Sequence, residues 1–324
     1  MTDSSAAARV QAPDPAPVPA RVGLAVPVLA VLALAWLAAM LWSAYATIRT
    51  APDAVTTVID AAWALPGVIA AGVLAGAAGA GAALAVLLAR RGGTGVAGRL
   101  AVATGTGFGT GAVAATLVLL GYGHRGSIVV LAATVALAGT VGGAAVAVPR
   151  PEFTAATVAA TLSAFVLDLA LTVFQSPLLR LFGAGGSARA TYLAGGRLAL
   201  AASLLGGVAG GLVAYLWLRR GRYGRRFPAY LAAGAAPGVV LLLAELVTRL
   251  GGGQLYGLAG RLGGADAQLL DLMGTSRLEH ALIVLFAGTL TALFVFGRTL
   301  PVRPGTGQPA GRRDAQGTQV PSSR

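Results

Sequence analysis

The chain has 324 residues, 56% of them apolar and only 11% charged, with a mean hydropathy of +0.77. A soluble domain carries about a quarter of its residues charged, so a chain this poor in charge must face lipid over most of its surface. Cysteine is absent and histidine occurs only as His124 and His280, which excludes disulfides, thiolate chemistry and a multi-histidine metal centre.

All 24 basic residues are Arg, and with the many Ala, Gly and Pro this reflects a GC-rich coding bias more than a function. The net charge of +13 does not by itself point to nucleic acid, because where the charges sit matters more than their sum.

Residues 1–20 are rich in Ala, Pro and Ser and are expected to form a disordered tail. A membrane span needs about 20 mostly apolar residues, and the first such stretch is 22–47. Ala44-Tyr45-Ala46 has the form of a signal-peptidase site, but the apolar run before it is longer than a signal sequence carries, so it reads as an uncleaved span. The second span, 63–89, holds Gly72 and Gly76, and the third, 99–122, holds Gly105, Gly107, Gly109 and Gly111. Within the third, Gly105 to Ala112 matches the G-x-G-x-x-A dinucleotide fingerprint in form. No strand precedes it, so the turn that cradles a pyrophosphate is missing. Without Lys the chain has no P-loop either.

A short link at 121–126 leads to the fourth span, 127–148, so these two form a tight hairpin or a broken re-entrant pair. The fifth span, 154–178, carries Asp168. Thr154, Thr161, Asp168 and Gln175 recur every seventh residue, flanked by Thr157 and Thr172, which places them on one helix face expected to point into the bundle. The sixth span, 190–218, holds Arg197 and Gly206, Gly207, Gly210 and Gly211; it ends in the basic run Arg219, Arg220, Arg222, Arg225 and Arg226. That run fixes topology and is also suited to anionic lipid headgroups. The seventh span, 229–250, carries Glu245 and Arg249, and the eighth, 278–299, opens with Glu279 and His280. Between them, 251–277 is the longest connection, and the spacing of Leu262, Leu269, Leu270 and Met273 predicts a helix lying on the membrane surface. Residues 301–324 form a second polar tail, leaving 21–300 as the transmembrane domain.

The fold class is thus an all-α integral membrane bundle of about eight helices. The Arg residues are concentrated on the side of the termini, so the positive-inside rule places both termini in the cytoplasm of a bacterial inner membrane. Gly pairs four residues apart suit close helix packing within the bundle or against a partner. A match between 97–103 and 195–201 would, as a true repeat, be an inverted one of the kind transporters use, but in a chain built largely from Ala, Gly, Leu and Val such a match arises readily by chance.

Ionisable residues inside a span point to function by default. Asp168, Arg197 and Glu245 come at depths of about 15, 10 and 8 Å from the outer end of their spans. With Thr172 and Gln175 they form the candidate site for a substrate or ion. One reading is a buried ion pair of Arg197 with Asp168 or Glu245. The second is a transport site in which Asp168 binds a proton or cation and Arg197 clamps an anion. In the third, Arg197 and Glu245 snorkel to the headgroups. Neither a cofactor nor an enzymatic motif is implied, and an enzyme is not the expected class. The leading expectation is a transporter or permease-like protein; the alternative is a non-transporting scaffold or accessory subunit of an envelope complex.

The orientation is testable because the chain has no native thiol. A Ser187→Cys variant is expected to react with a membrane-impermeant maleimide in intact cells, and a Ser323→Cys variant only after permeabilisation. The opposite pattern would invert the topology.

Overall fold

The computed structural model describes residues 20–50, 54–91, 95–122, 126–147, 151–185, 187–220, 227–262 and 264–299. The two predicted tails, and Arg222, Arg225 and Arg226, lie outside the described residues. The elements are α1 (Ala20–Arg49), α2 (Ala54–Arg91), α3 (Val96–Tyr122), α4 (Gly126–Ala145), α5 (Pro151–Val173), α6 (Gln175–Leu181), α7 (Ala188–Arg220), α8 (Phe227–Leu262) and α9 (Gly264–Gly297). Among the described residues all regular structure is helical. Among the described residues eight helices are long and apolar enough to cross a membrane, one for each predicted span. Only a helix satisfies every backbone group within a single lipid-exposed segment, and the chain is an all-α multi-pass membrane protein.

Two local departures from the sequence reading have clear causes. The fifth span breaks at Phe174, where α5 gives way to the short α6. Pro177 has no N–H to give the carbonyl of Val173, and its ring crowds that carbonyl. Gly183, with φ +94°, then ends α6, its N–H reaching Arg180 O at 3.1 Å while Ala184 N–H reaches Leu179 O at 2.8 Å. The second departure is at 251–277, predicted as a loop with a surface helix. Instead α8 continues to Leu262 and α9 begins at Gly264. Three consecutive glycines, Gly251 to Gly253, cost about 1 kcal/mol each in helix propensity, yet they carry no proline and do not stop α8.

Lipid removes the hydrophobic drive between helices, so association rests on close van der Waals approach. The glycines of this chain supply it at two places. On α4, Gly139 lies against Gly76 of α2 and Gly107 of α3, so closely that a methyl on either would overlap the Gly139 carbonyl. On α9, Gly288 lies in the same way against Gly211 of α7 and Gly234 of α8. By contrast Gly105 and Gly109 of α3 have open space beside them, so only one of the two glycine pairs predicted on this helix is used.

The two joints correspond residue by residue. Gly72 meets Val135 O and Ala138, four and one residues before Gly139; Gly207 meets Val284 O and Ala287, four and one before Gly288. Gly107 meets Gly139 and Gly143, and Gly111 meets Ala136; Gly234 meets Gly288 and Ala292, and Gly238 meets Leu285. Positions therefore correspond at a shift of 135 from α2 to α7 (Gly72 to Gly207), 127 from α3 to α8 (Gly107 to Gly234) and 149 from α4 to α9 (Gly139 to Gly288). Val26, Leu29, Ala30 and Ala33 of α1 share a core with Ala155, Val158, Ala159 and Leu162 of α5, the same pattern 129 positions on (Val26 to Ala155). In each half the third and fourth helices pack most extensively, then the second with the fourth, then the first with the second. The extensive α3–α4 packing makes that pair a full hairpin.

The molecule is thus two copies of one four-helix arrangement, α1–α4 and α5–α9 with α6 as an insert. A shift of four spans preserves direction, so the halves are parallel in the membrane. The match of 97–103 with 195–201 is a chance one and the repeat is parallel: α3, which carries 97–103, matches α8 rather than the α7 that carries 195–201. The rise in shift from 127 to 149 places 22 extra residues between α8 and α9, where the helices extend past the span.

The halves meet through one face each. Helices α5 and α8 of the second pack on α1, α2 and α4 of the first, while the reciprocal pairings of α1 and α3 with α7 and α9 are not formed to any extent among the described residues.

Replacing Gly139 or Gly288 by Val is expected to lower the thermal melting of the detergent-solubilised protein, at about 1–3 kcal/mol or more for overpacking. Gly105→Ala should leave the melt unchanged. Equal tolerance at all three positions would remove the glycine joints as the basis of packing.

Candidate functional site

Polar side chains gather in the half of the bundle opposite the face on which α1 begins, here the distal half. Near the end of its span on α8, Glu245 is 6% exposed. Its two carboxylate oxygens are both taken: Arg249 Nε donates to Oε1 at 3.0 Å, and Arg277 Nε on α9 donates to Oε2 at 3.1 Å. Arg249 comes from the next turn of the same helix, the i,i+4 spacing that lets side chains meet. Arg277 comes across from the neighbouring helix and ties α8 to α9.

A second contact lies nearby. His280, three residues after Arg277 and so on the same side of α9, has its Nδ1 2.6 Å from Oγ of Ser203, a 2% exposed residue of α7. The Ser203 hydroxyl also lies 2.8 Å from Ala199 O. A serine hydroxyl has one proton. That proton can serve either the Ala199 carbonyl or His280 Nδ1, so the direction of the Ser203–His280 bond follows the imidazole tautomer.

The sequence-predicted residues are only partly brought together. Among the described residues no ion pair joins Arg197 to Asp168 or Glu245. Arg197 is exposed, and its Nη1 donates to the Phe182 carbonyl at 3.3 Å, in the turn that closes α6. The pair expected of Arg197 is thus not formed; Glu245 pairs with Arg249 and Arg277 instead. Arg277 is a partner that sequence reasoning missed, because it lies 32 residues from Glu245 and the sequence predicts a connection, not continuous helix, between them.

The polar stripe of α5 divides in two. Thr154 and Thr161 are buried, while Asp168, Thr172 and Gln175 are exposed. Thr172 Oγ1 returns to the backbone carbonyl of Asp168 at 2.9 Å. The expectation that Asp168 points into the bundle is therefore corrected. The stripe is straight on the helix surface, but the neighbours that cover its first half do not cover its distal end. Ser203 is the other residue the sequence did not reveal; a lone serine in a span is ordinary packing chemistry until its partner on another helix is known.

The repeat gives this cluster a built-in comparison. At the shifts above, Ser203, His280, Glu245 and Arg277 correspond to Val68, Leu131, Val118 and Ile128 of the first half. There Val68, Leu131 and Val118 line a cavity of about 20 Å³ with Leu65 and Val135, all of them apolar. One half carries a hydrogen-bonded polar set where the other carries hydrocarbon. Among the described residues no three of His, Cys, Asp and Glu come together as metal ligands.

Comparison of this multi-pass membrane protein with known protein families, with curated proteins and with solved structures finds no match.

Glu245→Val leaves Arg277 without its anion and is expected to destabilise the folded protein by about 3 kcal/mol, as when one partner of a buried pair is removed. Adding Arg277→Ile supplies the first half's own residues at both places and should recover most of the loss in thermal melting. Equal melts for the single and double variants would show that the two residues are not coupled.

Proposed function

We propose that the chain is a non-transporting membrane scaffold or accessory subunit of a bacterial inner-membrane complex, its distal half facing outward. The observation that carries this reading is the pairing of Glu245. Among the described residues it is the one buried charged side chain, and each of its oxygens accepts from an arginine. A group that binds and releases a substrate or ion must exchange partners during its cycle. Each Glu245 oxygen already accepts from an arginine, and Ser203 is engaged within the bundle by Ala199 O and His280 Nδ1. The bonds link α8 to α9 and α7 to α9, which serves rigidity.

The exposed Asp168, Thr172 and Gln175 suit a scaffold in a further way. A carboxylate in a span is costly without a donor, and on an uncovered helix face a donor from another subunit can satisfy it. On the opposite face, exposed Arg219 and Arg220 end α7, with Arg219 Nη1 3.1 Å from the Tyr215 hydroxyl. Together with Arg222, Arg225 and Arg226 they suit anionic headgroups on the cytoplasmic leaflet.

The reading is tested by access. A Ser203→Cys variant, carrying the only thiol, should resist small water-soluble methanethiosulfonate reagents applied to native membranes from either side. Labelling from both faces would reveal a through-going pathway, favour transport by this chain and overturn the scaffold.

A further inference from the structure

The α3 wall of the groove between α1 and α3 has a covered counterpart elsewhere in the molecule, whereas Val166 and Ala170, 129 positions on from Leu37 and Leu41 of the α1 wall, are exposed. In the first half, Leu37 and Leu41 of α1 and Gly109, Thr110, Val113 and Leu117 of α3 line an open groove of about 560 Å³. The residues 127 positions on from those of α3 are Ala236, Pro237, Val240 and Ala244 of α8, and all four are buried. What covers them includes α2: Leu65, Ile69 and Val73 form one core cluster with Val240, Ala244 and Val247. The same positions on α3 and α8 are therefore bare in one half and covered by the other half's neighbour in the other.

The stripe that does the covering also has a counterpart. At the shift of 135, Leu65, Ile69 and Val73 become Leu200, Leu204 and Val208 of α7. These residues are 51%, 45% and 38% exposed, whereas Ile69 is 0% exposed. Each molecule thus has a groove without its stripe at one edge and a stripe without its groove at the other. The two stripes differ beside and beyond these positions. Leu205 stands for Ala70, adding bulk, and Arg197 stands for Ala62 at the distal end. The added bulk has room, because α1 and α3 stand farther apart than α5 and α8, which touch.

We propose that a second copy of this chain seats its α7, through Leu200, Leu204 and Val208, in the α1–α3 groove, repeating between molecules the contact that joins the two halves within one. The occupant is chosen by continuity with the internal interface: this chain already joins one such stripe to the α8 counterpart of the groove's α3 wall. The contact is heterologous, since different surfaces meet, and such contacts close into rings or continue as rows. The halves are parallel in the membrane, so the operation relating them turns about an axis along the membrane normal, and the copies stay in one membrane plane. The surface is separate from the Glu245 and His280 contacts, and the proposal holds equally for a scaffold or a transporter.

The test uses the full-length chain in native membranes, and the introduced thiols are the only ones this chain carries. Two differently tagged chains are co-expressed, one V113C and the other L204C, and oxidised with a mild catalyst. The expected result is a disulfide-linked heterodimer, with a ladder of higher oligomers when both substitutions are in one chain. Neither single variant expressed alone should cross-link. Dimers of L204C with itself, or of V113C with itself, would show a two-fold contact and overturn the proposal. So would the absence of any cross-link while the variants melt as the parent does, the outcome if only lipid fills the groove. Filling the groove with G109F, at a glycine that has open space beside it, should lower the heterodimer about tenfold. If G109F alters the melt, L200A together with V208A trims the stripe from exposed positions and should give the same fall. Undiminished cross-linking after trimming overturns the seating. Access at Ser203 tests the functional reading alone, so the two can fail independently.

Discussion

Two glycine positions set how this molecule is built. Gly139 and Gly288 let three helices approach to backbone contact at each site, in a solvent that gives apolar side chains no reason to prefer protein over lipid. Everything else follows from where those contacts fall. They fix the height at which α2, α3 and α4 cross, they do the same for α7, α8 and α9, and the similarity of the two sets makes the halves copies of one arrangement. Threonine accompanies the glycine at both sites. Thr140 and Thr289 each return their hydroxyl to the carbonyl four residues back, on Ala136 and Leu285. Ala138-Gly139-Thr140 and Ala287-Gly288-Thr289 are the same three residues.

On this shared frame the second half carries its polar chemistry as a local replacement. The positions that hold Val118, Ile128, Leu131 and Val68 in one half hold Glu245, Arg277, His280 and Ser203 in the other. Because the backbone contacts are common, the change is one of side chains, and each introduced group finds its partner on a neighbouring helix of its own half. The result is a polar cluster whose bonds are nearly all internal. Buried ion pairs contribute little net stability against hydrocarbon of the same volume, so what the cluster adds is register: it binds α9 to α8 and α7 at the distal end, where the glycine joint is farthest away. Asp168 stands outside this closure, on a helix face that its own chain leaves uncovered.

Much of the fold was legible in the sequence. All eight spans could be read from length and hydropathy, since a continuous apolar run has few alternatives in a membrane. What could not be read was the pairing of helices. Gly107 and Gly109 look alike along α3, and only the placement of α4 decides that the first is in contact and the second is not. The same applies to the charges. Depth along a helix follows from counting residues, which put Asp168, Arg197 and Glu245 at similar heights, but rotation about the helix axis and the neighbour it faces are tertiary facts. Glu245 chose Arg277, and Arg197 turned to the carbonyl of Phe182. The repeat was hidden for a related reason. In a chain built from few residue types, the heptapeptides at 97–103 and 195–201 resemble each other by composition, whereas the true correspondence survives mainly as backbone contacts at unequal shifts.

The parallel duplication also bears on how the protein comes to exist in the membrane. An even number of spans in each half brings the chain back to the side on which it started, so the first four helices can enter and close their own contacts around Gly139 before α5 emerges. The second half is not equally self-sufficient. Its α5 and α8 find their remaining neighbours on α1, α2 and α4, surfaces that the earlier half already displays. The order of synthesis and the one-sided meeting of the halves therefore run in the same direction, with the part made first serving as the template on which the later part is laid.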